Sequence, residues 1–360
     1  MIPIARDLQT PVGAIVATAS VYYLVYGLMQ PVWGLLSDRF GRLTVMRIGL
    51  AGAATAGFAS ALAPNLAVII VTRGLAGAFF AAVFPASLVY VGDVFPFSRR
   101  QPVIADLLAA TAVGTAVGSL GAGLLAQFFS WRLAFGGTAV LAAILAVVLR
   151  RLKEPSREDL AMGPLDRLGA VLRNGWALYV IVLGFGEGAI MFGFLTYFAP
   201  SLESRGIKAG LAGLVVATYG LTVIVMTQAM KPLIGKTNAV PLMTLGGLGT
   251  VAGYGVATLD QTLVGILAAS ALVGFGFAFL HSSIQTWATD VAPAARGTAV
   301  ALFAGAAFVG GALSTAGVAG LAGRADYGLL FLLAAGMATV VTVVATVGRS
   351  RYRAGAAGRE

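Results

Sequence analysis

The sequence predicts an all-α protein that crosses a membrane many times, as its composition, its hydropathy and the lengths of its apolar segments indicate. Of the 360 residues, 59% are apolar and 11% are charged, and the mean hydropathy is +0.91. A soluble domain carries about 25% charged residues. Apolar segments longer than about 18 residues recur along the chain, and each can cross a hydrocarbon layer about 30 Å thick as a helix. Continuous runs of this length exclude a transmembrane β-barrel, whose strands alternate over about ten residues.

The apolar runs and their polar interruptions predict eleven membrane-spanning helices. They cover residues 13–36, 43–63, 66–90, 102–128, 133–150, 176–199, 208–230, 239–258, 262–288, 297–321 and 328–347. The loops and tail on one side hold 18 of the 24 basic residues, and the opposite side holds five. Basic residues mark cytoplasmic loops, so we expect a multi-pass protein of the cell (inner or plasma) membrane with a cytoplasmic C-terminus. Residues 1–5 resemble the last turn of an apolar helix, so we also expect that one further helix precedes them.

The composition excludes several kinds of chemistry. The chain has no cysteine and one histidine, His281, which excludes disulfides, iron–sulfur clusters, thiol nucleophiles and sites with several histidines. No Ser, His and Asp constellation and no G-x-x-x-x-G-K-[ST] phosphate loop is present, so we expect neither an enzyme nor a nucleotide-driven pump. The net charge of +10 resides in loops beside the membrane rather than in a soluble basic domain, so nucleic acid is not an expected partner.

The longest polar connection divides the chain into two halves. We expect an N-terminal bundle at 1–150, a cytoplasmic linker at 151–174, a C-terminal bundle at 175–348 and a cytoplasmic tail at 349–360. In the linker, leucines at helical spacing are compatible with a short helix on the inner leaflet, and a solvated linker is the alternative. Residues 93–99 resemble residues 290–296 at a spacing of 197. Such parallel repeats of about six helices indicate a transporter with a site between two related bundles.

The polar turn after the first span carries the most specific motif. Gly34, Asp38, Arg39, Gly41 and Arg42 form a pattern that resembles the G-x-x-x-D-R-x-G-R signature of the major facilitator superfamily. The resemblance extends over essentially the whole chain, which then corresponds to helices 2–12 of a twelve-helix protein. Within the family, the sequence is most similar to drug:proton antiporters of the twelve-helix type.

The resemblance implies a conformational latch at this turn. The glycines permit a tight turn between closely packed helices. In one transport state the family's aspartate docks at the N-terminus of helix 11, where the helix dipole favours an anion. This places Asp38 near Gly297 and Thr298, and Arg42 near Asp93. The alternative is that these charges only set the membrane topology.

A second segment, at 114–123, resembles the family's helix-5 motif. Gly114, Gly118, Gly121 and Gly123 are spaced as small residues are where two helices approach closely. Ser119 stands where the family pattern has proline, so the bend that a proline imposes is not expected. The motif is associated with antiporters, and generic tight packing is the alternative.

Four ionisable residues inside the spans are candidates for proton coupling or for lining the cavity: Arg73, Asp106, Glu187 and His281. Arg73 resembles the arginine of the family's helix-4 R-x-x-x-G pattern. Glu187 lies midway through its span, where a carboxylate can bind a proton or a cationic substrate group. His281 is the one side chain with an ordinary pKa near neutrality. The alternative for Arg73 and Asp106 is that their side chains reach outward to the membrane surface. The alternative for Glu187 and His281 is that they form purely structural hydrogen bonds.

These expectations together describe a secondary transporter. We expect a monomer that exports a small molecule or drug by alternating access, uses an ion gradient, predominantly of protons, and needs no cofactor. Proton-coupled uptake of a sugar or organic acid is one alternative, and a truncated membrane protein that transports nothing is another. Tyr197, Trp287 and Phe84 are candidates for an aromatic cavity wall.

Overall fold

The computed structural model describes residues 1–154, 163–230 and 239–352, without certain side chains such as those of Asp38 and of several residues between 97 and 112. Every regular element in this part of the chain is helical. The helices are α1 (Ile2–Asp7), α2 (Val12–Phe40), α3 (Arg42–Ala61), α4 (Leu66–Phe80), α5 (Val83–Val94), α6 (Phe97–Phe128), α7 (Trp131–Val148), α8 (Pro164–Leu172), α9 (Gly175–Gly188), α10 (Phe198–Ser204), α11 (Ala209–Met230), α12 (Ala239–Leu259), α13 (Leu263–Gly276), α14 (Ser282–Asp290), α15 (Arg296–Gly317), α16 (Ala319–Gly323) and α17 (Tyr327–Arg351).

The all-α membrane fold class is confirmed. Ten segments of the described chain are long and apolar enough to cross a membrane. Three of them combine consecutive helices: α4 with α5, α9 with α10, and α13 with α14. The remaining predicted span, 102–128, is occupied by α6, whose apolar stretch Val113–Phe128 is shorter. Many apolar side chains on these helices point outward, as a hydrocarbon solvent requires.

Local sequence explains where many helices begin. The first backbone N–H groups of a helix have no partner within it, and a short polar side chain just before the helix can accept from them. Five helices begin after such a residue, in each case with a side-chain oxygen that accepts from a backbone N–H: Asn65, Ser130, Asn174, Thr262 and Asp326. The apolar runs set the lengths of the helices, and these polar residues set their starts.

We name the two ends of the bundle by residues that lie there. The Arg42 end holds the turn between α2 and α3, and the Trp131 end holds the start of α7. At the Trp131 end, the Asp7 carboxylate accepts from the Trp131 indole at 3.1 Å and from Arg132 Nη2 at 3.0 Å. Arg132 Nη1 also donates to Ala63 O at 2.8 Å. These bonds tie α1, the end of α3 and the start of α7 together.

The internal repeat extends to helix contacts. A Cβ atom added to Gly77 would collide with the backbone oxygen of Tyr22, and one added to Gly274 would collide with that of Tyr219. Both pairs are related by the 197-residue offset found in the sequence. The same close helix crossing is therefore built twice, once in each half.

The two halves meet mainly through two helix pairs, α2 with α15 and α6 with α11, and α2 also contacts α16. In the first pair the backbones are so close that a Cβ on Gly27 would lie 2.5 Å from Gly305 O. In the second pair a Cβ on Gly213 would lie 2.5 Å from Ser119 O. Small residues thus allow the backbones to approach closely between the halves, as is typical of helices in lipid.

The halves converge at the Trp131 end and separate toward the Arg42 end. At the Trp131 end, Gly210 N donates to Gln127 Oε1 across the boundary at 2.9 Å. At the Arg42 end, no described atom lies within 4 Å of a Cβ built on Gly34 or on Gly297. We interpret this difference as a cleft between the halves that opens toward the Arg42 end.

The linker contains a short helix, α8, and residues 155–162 lie outside the described part. Leu165 is 77% exposed while Val171 is fully buried, so α8 has an outward face and a packed face. Of the two alternatives for this segment, the structure shows the short helix. The position of this helix relative to the inner leaflet stays a prediction. α17 continues to Arg351, and residues 353–360 lie outside the described part. The cytoplasmic tail at 349–360 stays a prediction.

Candidate functional site

The turn between α2 and α3 brings part of the predicted latch together. Arg42 Nε lies 3.2 Å from Asp93 Oδ2 at the end of α5, where the resemblance placed it. Arg39 is exposed beside the Phe40 ring. The side chain of Asp38 lies outside the described part, so its docking near Gly297 stays a prediction.

Sequence analysis missed the contribution of Glu154 to this turn. Its carboxylate accepts from Leu43 N at 3.1 Å and from Thr44 N at 3.2 Å, which satisfies two of the free N–H groups at the start of α3. The anion is also favoured there by the helix dipole. The only sequence signal was one acidic residue directly after the basic cluster that ends α7, and nothing in that pattern names α3 as its partner.

Gly41 is the residue of this turn that most requires glycine. Its φ of 98° and ψ of 155° belong to a region that is essentially restricted to glycine, where other residues are strained by about 1–3 kcal/mol. A Cβ there would also lie 2.7 Å from the Glu154 carboxyl carbon. We expect Gly41→Ala to lower the thermal unfolding temperature of the purified protein in detergent. Gly34→Ala is the matched control, because Gly34 is helical with open space around it; equal unfolding temperatures for the two variants would contradict the role of Gly41.

The structure joins two residues that the sequence singled out separately. Glu187 Oε1 lies 3.0 Å from His281 Nδ1, so α9 and the helix turn before α14 are bridged in the middle of the C-terminal half. The Glu187 side chain is 1% exposed and that of His281 is 16% exposed. The second carboxylate oxygen, Oε2, is buried and has no hydrogen-bond partner in the described part.

Both residues lie at irregular turns of their helices. The π-helical turn Ala189–Gly193 begins two residues after Glu187, and the π-helical turn Phe277–His281 ends at the histidine. Such turns interrupt regular α-helices and are frequent at functional sites. The His281 ring stacks on the Phe277 ring, with centroids 4.3 Å apart. The pair is thus held between two distorted helices and an aromatic side chain.

Both side chains of this pair carry groups that can bind a proton. An isolated carboxylate in an apolar interior is strongly disfavoured unless it is protonated or paired. In the described part, His281 is the side chain that pairs with this carboxylate.

Arg73 lies on the other side of the cleft, in the N-terminal half. Its guanidinium carbon is 4.3 Å from the centre of the Tyr22 ring and 5.0 Å from that of Phe135. An arginine within a membrane costs about 2.5–3.5 kcal/mol on insertion scales, and each cation–π contact returns about 0.5–2 kcal/mol. The two rings therefore offset part of the cost of placing the charge here.

Between Arg73 and the C-terminal half lies a group of rings that we call the aromatic cluster: Tyr22, Tyr23 and Tyr26 of α2, Phe192 between α9 and α10, and Phe308 of α15. The Tyr26 and Phe308 centroids are 4.2 Å apart, and the Phe192 and Phe308 rings are stacked at 4.7 Å. All five side chains are partly exposed although they lie deep in their helices. They line the boundary between the two halves.

Two of the three residues predicted for the aromatic wall do not line a cavity, and the third, Phe84, is partly exposed. Tyr197 and Trp287 are fully buried and belong to the packed core of the C-terminal half. The sequence shows that aromatic residues are present but not which face of a uniformly apolar helix meets the other half. The three closely spaced tyrosines of α2 were the signal that could have revealed the cluster.

The remaining candidates are not brought to this site. Asp106 is exposed near the Arg42 end of α6, so its surroundings match the alternative of an interfacial residue. In the helix-5 segment, a Cβ on Gly123 would lie 2.5 Å from Ala209 O, whereas one on Gly114, Gly118 or Gly121 would meet no described atom within 4 Å. Close packing of this segment against α11 therefore involves Gly123 and the backbone of Ser119, whereas Gly114, Gly118 and Gly121 lie at open positions.

No group of three or more His, Cys, Asp or Glu side chains that could hold a metal ion is found in the described ranges. The fold is that of a membrane-spanning chain with two related helical bundles. The family model of the Major Facilitator Superfamily matches residues 1–315 and, in a second match, residues 194–359. The chain therefore belongs to this superfamily.

Several relatives have named transport roles. The chain is 32% identical over 173 residues to a triacylglyceride transporter of Mycolicibacterium hassiacum, covering 45% of this chain and 32% of the relative. It is 31% identical over 170 residues to the multidrug efflux pump LfrA of Mycolicibacterium smegmatis, covering 47% and 34%. It is 29% identical over 186 residues to the tetracenomycin C resistance and export protein of Streptomyces glaucescens, covering 50% and 34%. The chain spans about a third of the length of these curated relatives.

Two solved structures share the fold. A mutant form of the nucleoside transporter NupG has a TM-score of 0.77 at 16% identity, over 96% of this chain and 93% of that one. A D-xylose-proton symporter has a TM-score of 0.74 at 18% identity, over 96% and 88%. At these identities the likeness concerns the fold alone.

Proposed function

We propose that this protein exports a small molecule, such as a drug, across the cell membrane in exchange for protons. The observation that carries the proposal is the buried Glu187–His281 pair, a site for a proton in the middle of the C-terminal half. Relatives that include drug efflux pumps support export. A proton gradient is then the energy source, at about 2.3 kcal/mol for each charge per 100 mV plus the pH term, and no cofactor is required.

Alternating access follows from the way the halves meet. In this proposal the Arg42 end faces the cytoplasm, as the basic loops indicate, and the protein works as a monomer. The cleft is then open inward, so that substrate enters from the cytoplasm. Closing the cleft at the Arg42 end and separating the halves at the Trp131 end releases it outside. Protonation of the pair biases one of these two states, since a ligand shifts an equilibrium only through its different affinity for each state.

The experiment uses everted membrane vesicles with an acidic interior, monitored with a dye whose fluorescence is quenched by the pH gradient. Addition of ethidium, puromycin or fluorescein is expected to restore fluorescence as protons leave in exchange for an exported probe. Vesicles without the protein give the background. A response no larger than background for a broad panel of such probes would reject proton antiport. Alkalinisation of the medium when a sugar or organic acid is added to lightly buffered cells would instead establish proton-coupled uptake.

A further inference from the structure

Arg73 is a partly exposed positive charge of the N-terminal half that has no counter-ion among the described residues. The ion pairs that the structure describes join Arg42 to Asp93, Arg132 to Asp7 and His281 to Glu187. Within the described residues, no oxygen accepts a hydrogen bond from the Arg73 guanidinium, whose contacts are the ring faces of Tyr22 and Phe135. Its N–H donors are therefore not engaged by the protein.

No carboxylate is among the described contacts of Arg73 or of the aromatic cluster, and Asp106, which is exposed, lies toward the Arg42 end of α6. Glu187 is 1% exposed and is covered on the side of Oε1 by His281, which is the member of the pair that is partly exposed. A cationic substrate group would thus meet Arg73 without an accessible carboxylate to balance it. An anionic group would instead meet a guanidinium whose N–H donors are not engaged by the protein.

The aromatic cluster begins at this arginine. Tyr22, which lies under the guanidinium, is 5.8 Å from Tyr26, and Tyr26 is 4.2 Å from Phe308 of the opposite half. A series of partly exposed rings therefore leads from the charge across the cleft. Such rings offer flat apolar faces on which an aromatic molecule can stack.

We propose that Arg73 is the subsite for an acidic group of the transported molecule, and that the substrate class is aromatic acids. The acid is a carboxylate or another ionised oxygen group, which a planar guanidinium binds through two parallel hydrogen bonds. The aromatic body lies against Tyr22, Tyr26 and Phe308. This inference rests on the proposed transport function and adds the chemistry of its substrate.

The test measures binding in detergent, which needs no gradient and is therefore independent of proton coupling. The probes are fluorescein, an aromatic anion, and rhodamine 123, a cation with the same three-ring core, with 1-naphthoate and its methyl ester as a second pair. Binding is followed by fluorescence anisotropy for the dyes and by quenching of tryptophan emission for the naphthyl pair. We expect the wild-type protein to bind each anion more tightly than its partner.

The variants separate charge from shape. Arg73→Gln is expected to weaken fluorescein binding by about tenfold or more, since it removes a charged two-point contact, while rhodamine 123 binds no more weakly. Arg73→Lys keeps the charge but loses the planar fork, so an intermediate loss is expected for 1-naphthoate. Tyr22→Leu, which retains the arginine, should weaken both dyes equally. Size-exclusion profiles and unfolding temperatures verify that each variant is folded.

The result that overturns the inference is a wild-type protein that prefers the cation or the methyl ester, or that binds neither anion. Equal fluorescein binding by folded wild type and Arg73→Gln overturns it as well, and if that variant does not fold, the comparison with Arg73→Lys decides. Proton antiport of other probes in vesicles would in that case still support the proposed function. Tight binding of aromatic acids without any proton exchange would support the subsite and reject the coupling.

Discussion

Replacing Glu187 with glutamine is expected to abolish transport driven by a proton gradient, while exchange of substrate for substrate continues. Glutamine has nearly the same shape and can still hydrogen-bond His281, 3.0 Å away in the native pair. It has no titratable proton and stays neutral over the whole working pH range. We expect the driven rate to fall by about a hundredfold or more, the size of effect typical when a positioned proton-transfer group is removed.

Driven transport is lost while exchange is retained because the amide imitates only the neutral, protonated state of the carboxyl group. With a permanently neutral side chain, the two transport states still interconvert, so bound substrate can be carried in both directions. The pH gradient can no longer bias them, because a ligand that does not bind cannot shift an equilibrium. Loss of coupling with retained exchange is therefore the signature of a proton site.

The measurement compares two rates in proteoliposomes: accumulation of substrate under an imposed pH gradient, and counterflow of labelled substrate without one. The control is His281→Gln, which leaves the Glu187 carboxyl as the proton carrier and is expected to retain part of the driven rate. Equal driven rates for wild type and Glu187→Gln would contradict the proton site. Loss of both activities in a folded protein would assign Glu187 to substrate binding.

The sequence could predict each member of this pair but not the pair. Glu187 and His281 stand out because ionisable groups in apolar runs are costly and seldom lack a role. They are 94 positions apart, and their meeting depends on how α9 packs beside the π-helical turn at Phe277–His281. Helix registers are set by many small packing contacts, so no local pattern reveals them.

The fold could be predicted from the sequence more completely than the site. Membrane spans follow from length and hydropathy alone, and the repeat offset of 197 residues relates Gly77 to Gly274 in sequence and in packing. The aromatic cluster was missed because nearly every helix is apolar on all sides. A helix with no polar face gives no sign of which side meets lipid and which side meets the other half.

Removing the hydrogen bond at the Trp131 end is expected to shift the equilibrium between the two transport states strongly. Gln127 Oε1 accepts from Gly210 N at 2.9 Å, and Gly210 is the second residue of α11, where backbone N–H groups have no helical partner. Gln127→Leu leaves that N–H unsatisfied in the closed state, at a cost of about 1–3 kcal/mol. We expect a shift of about 5- to 150-fold toward the state that is open at the Trp131 end.

Asp38→Asn is expected to shift the protein in the opposite direction and to abolish transport while the protein stays folded in detergent. The charge that should dock at the start of α15 is removed, so the state closed at the Arg42 end loses the helix-dipole attraction, about 0.3–1 kcal/mol for an exposed group, and its charge-assisted hydrogen bonds. Full activity of Asp38→Asn would reject the latch.

The chain contains no cysteine, so pairs of labels can be introduced without removing native residues. Spin labels at Phe129 and Lys208 report the Trp131 end, and labels at Arg99 and Asp290 report the Arg42 end, since all four side chains are exposed. Gln127→Glu is the matched control, because it keeps an acceptor for Gly210 N. Identical distance distributions in Gln127→Leu and Gln127→Glu would contradict the role of this bond.

The observed contact of Gln127 with Gly210 and the predicted contact of Asp38 with Gly297 occupy positions that are related by an inverted repeat. Gly34 and Asp38 near the end of α2 have the same spacing as Gly123 and Gln127 near the end of α6. Their partners are the second residues of α15 and α11, at opposite ends of the bundle. Helix triplets of opposite orientation are nested in each half of this superfamily, so a contact at one end has a counterpart at the other. Each acceptor favours the state in which its own end is closed, and alternating access therefore requires that neither contact be so strong that the other end cannot close.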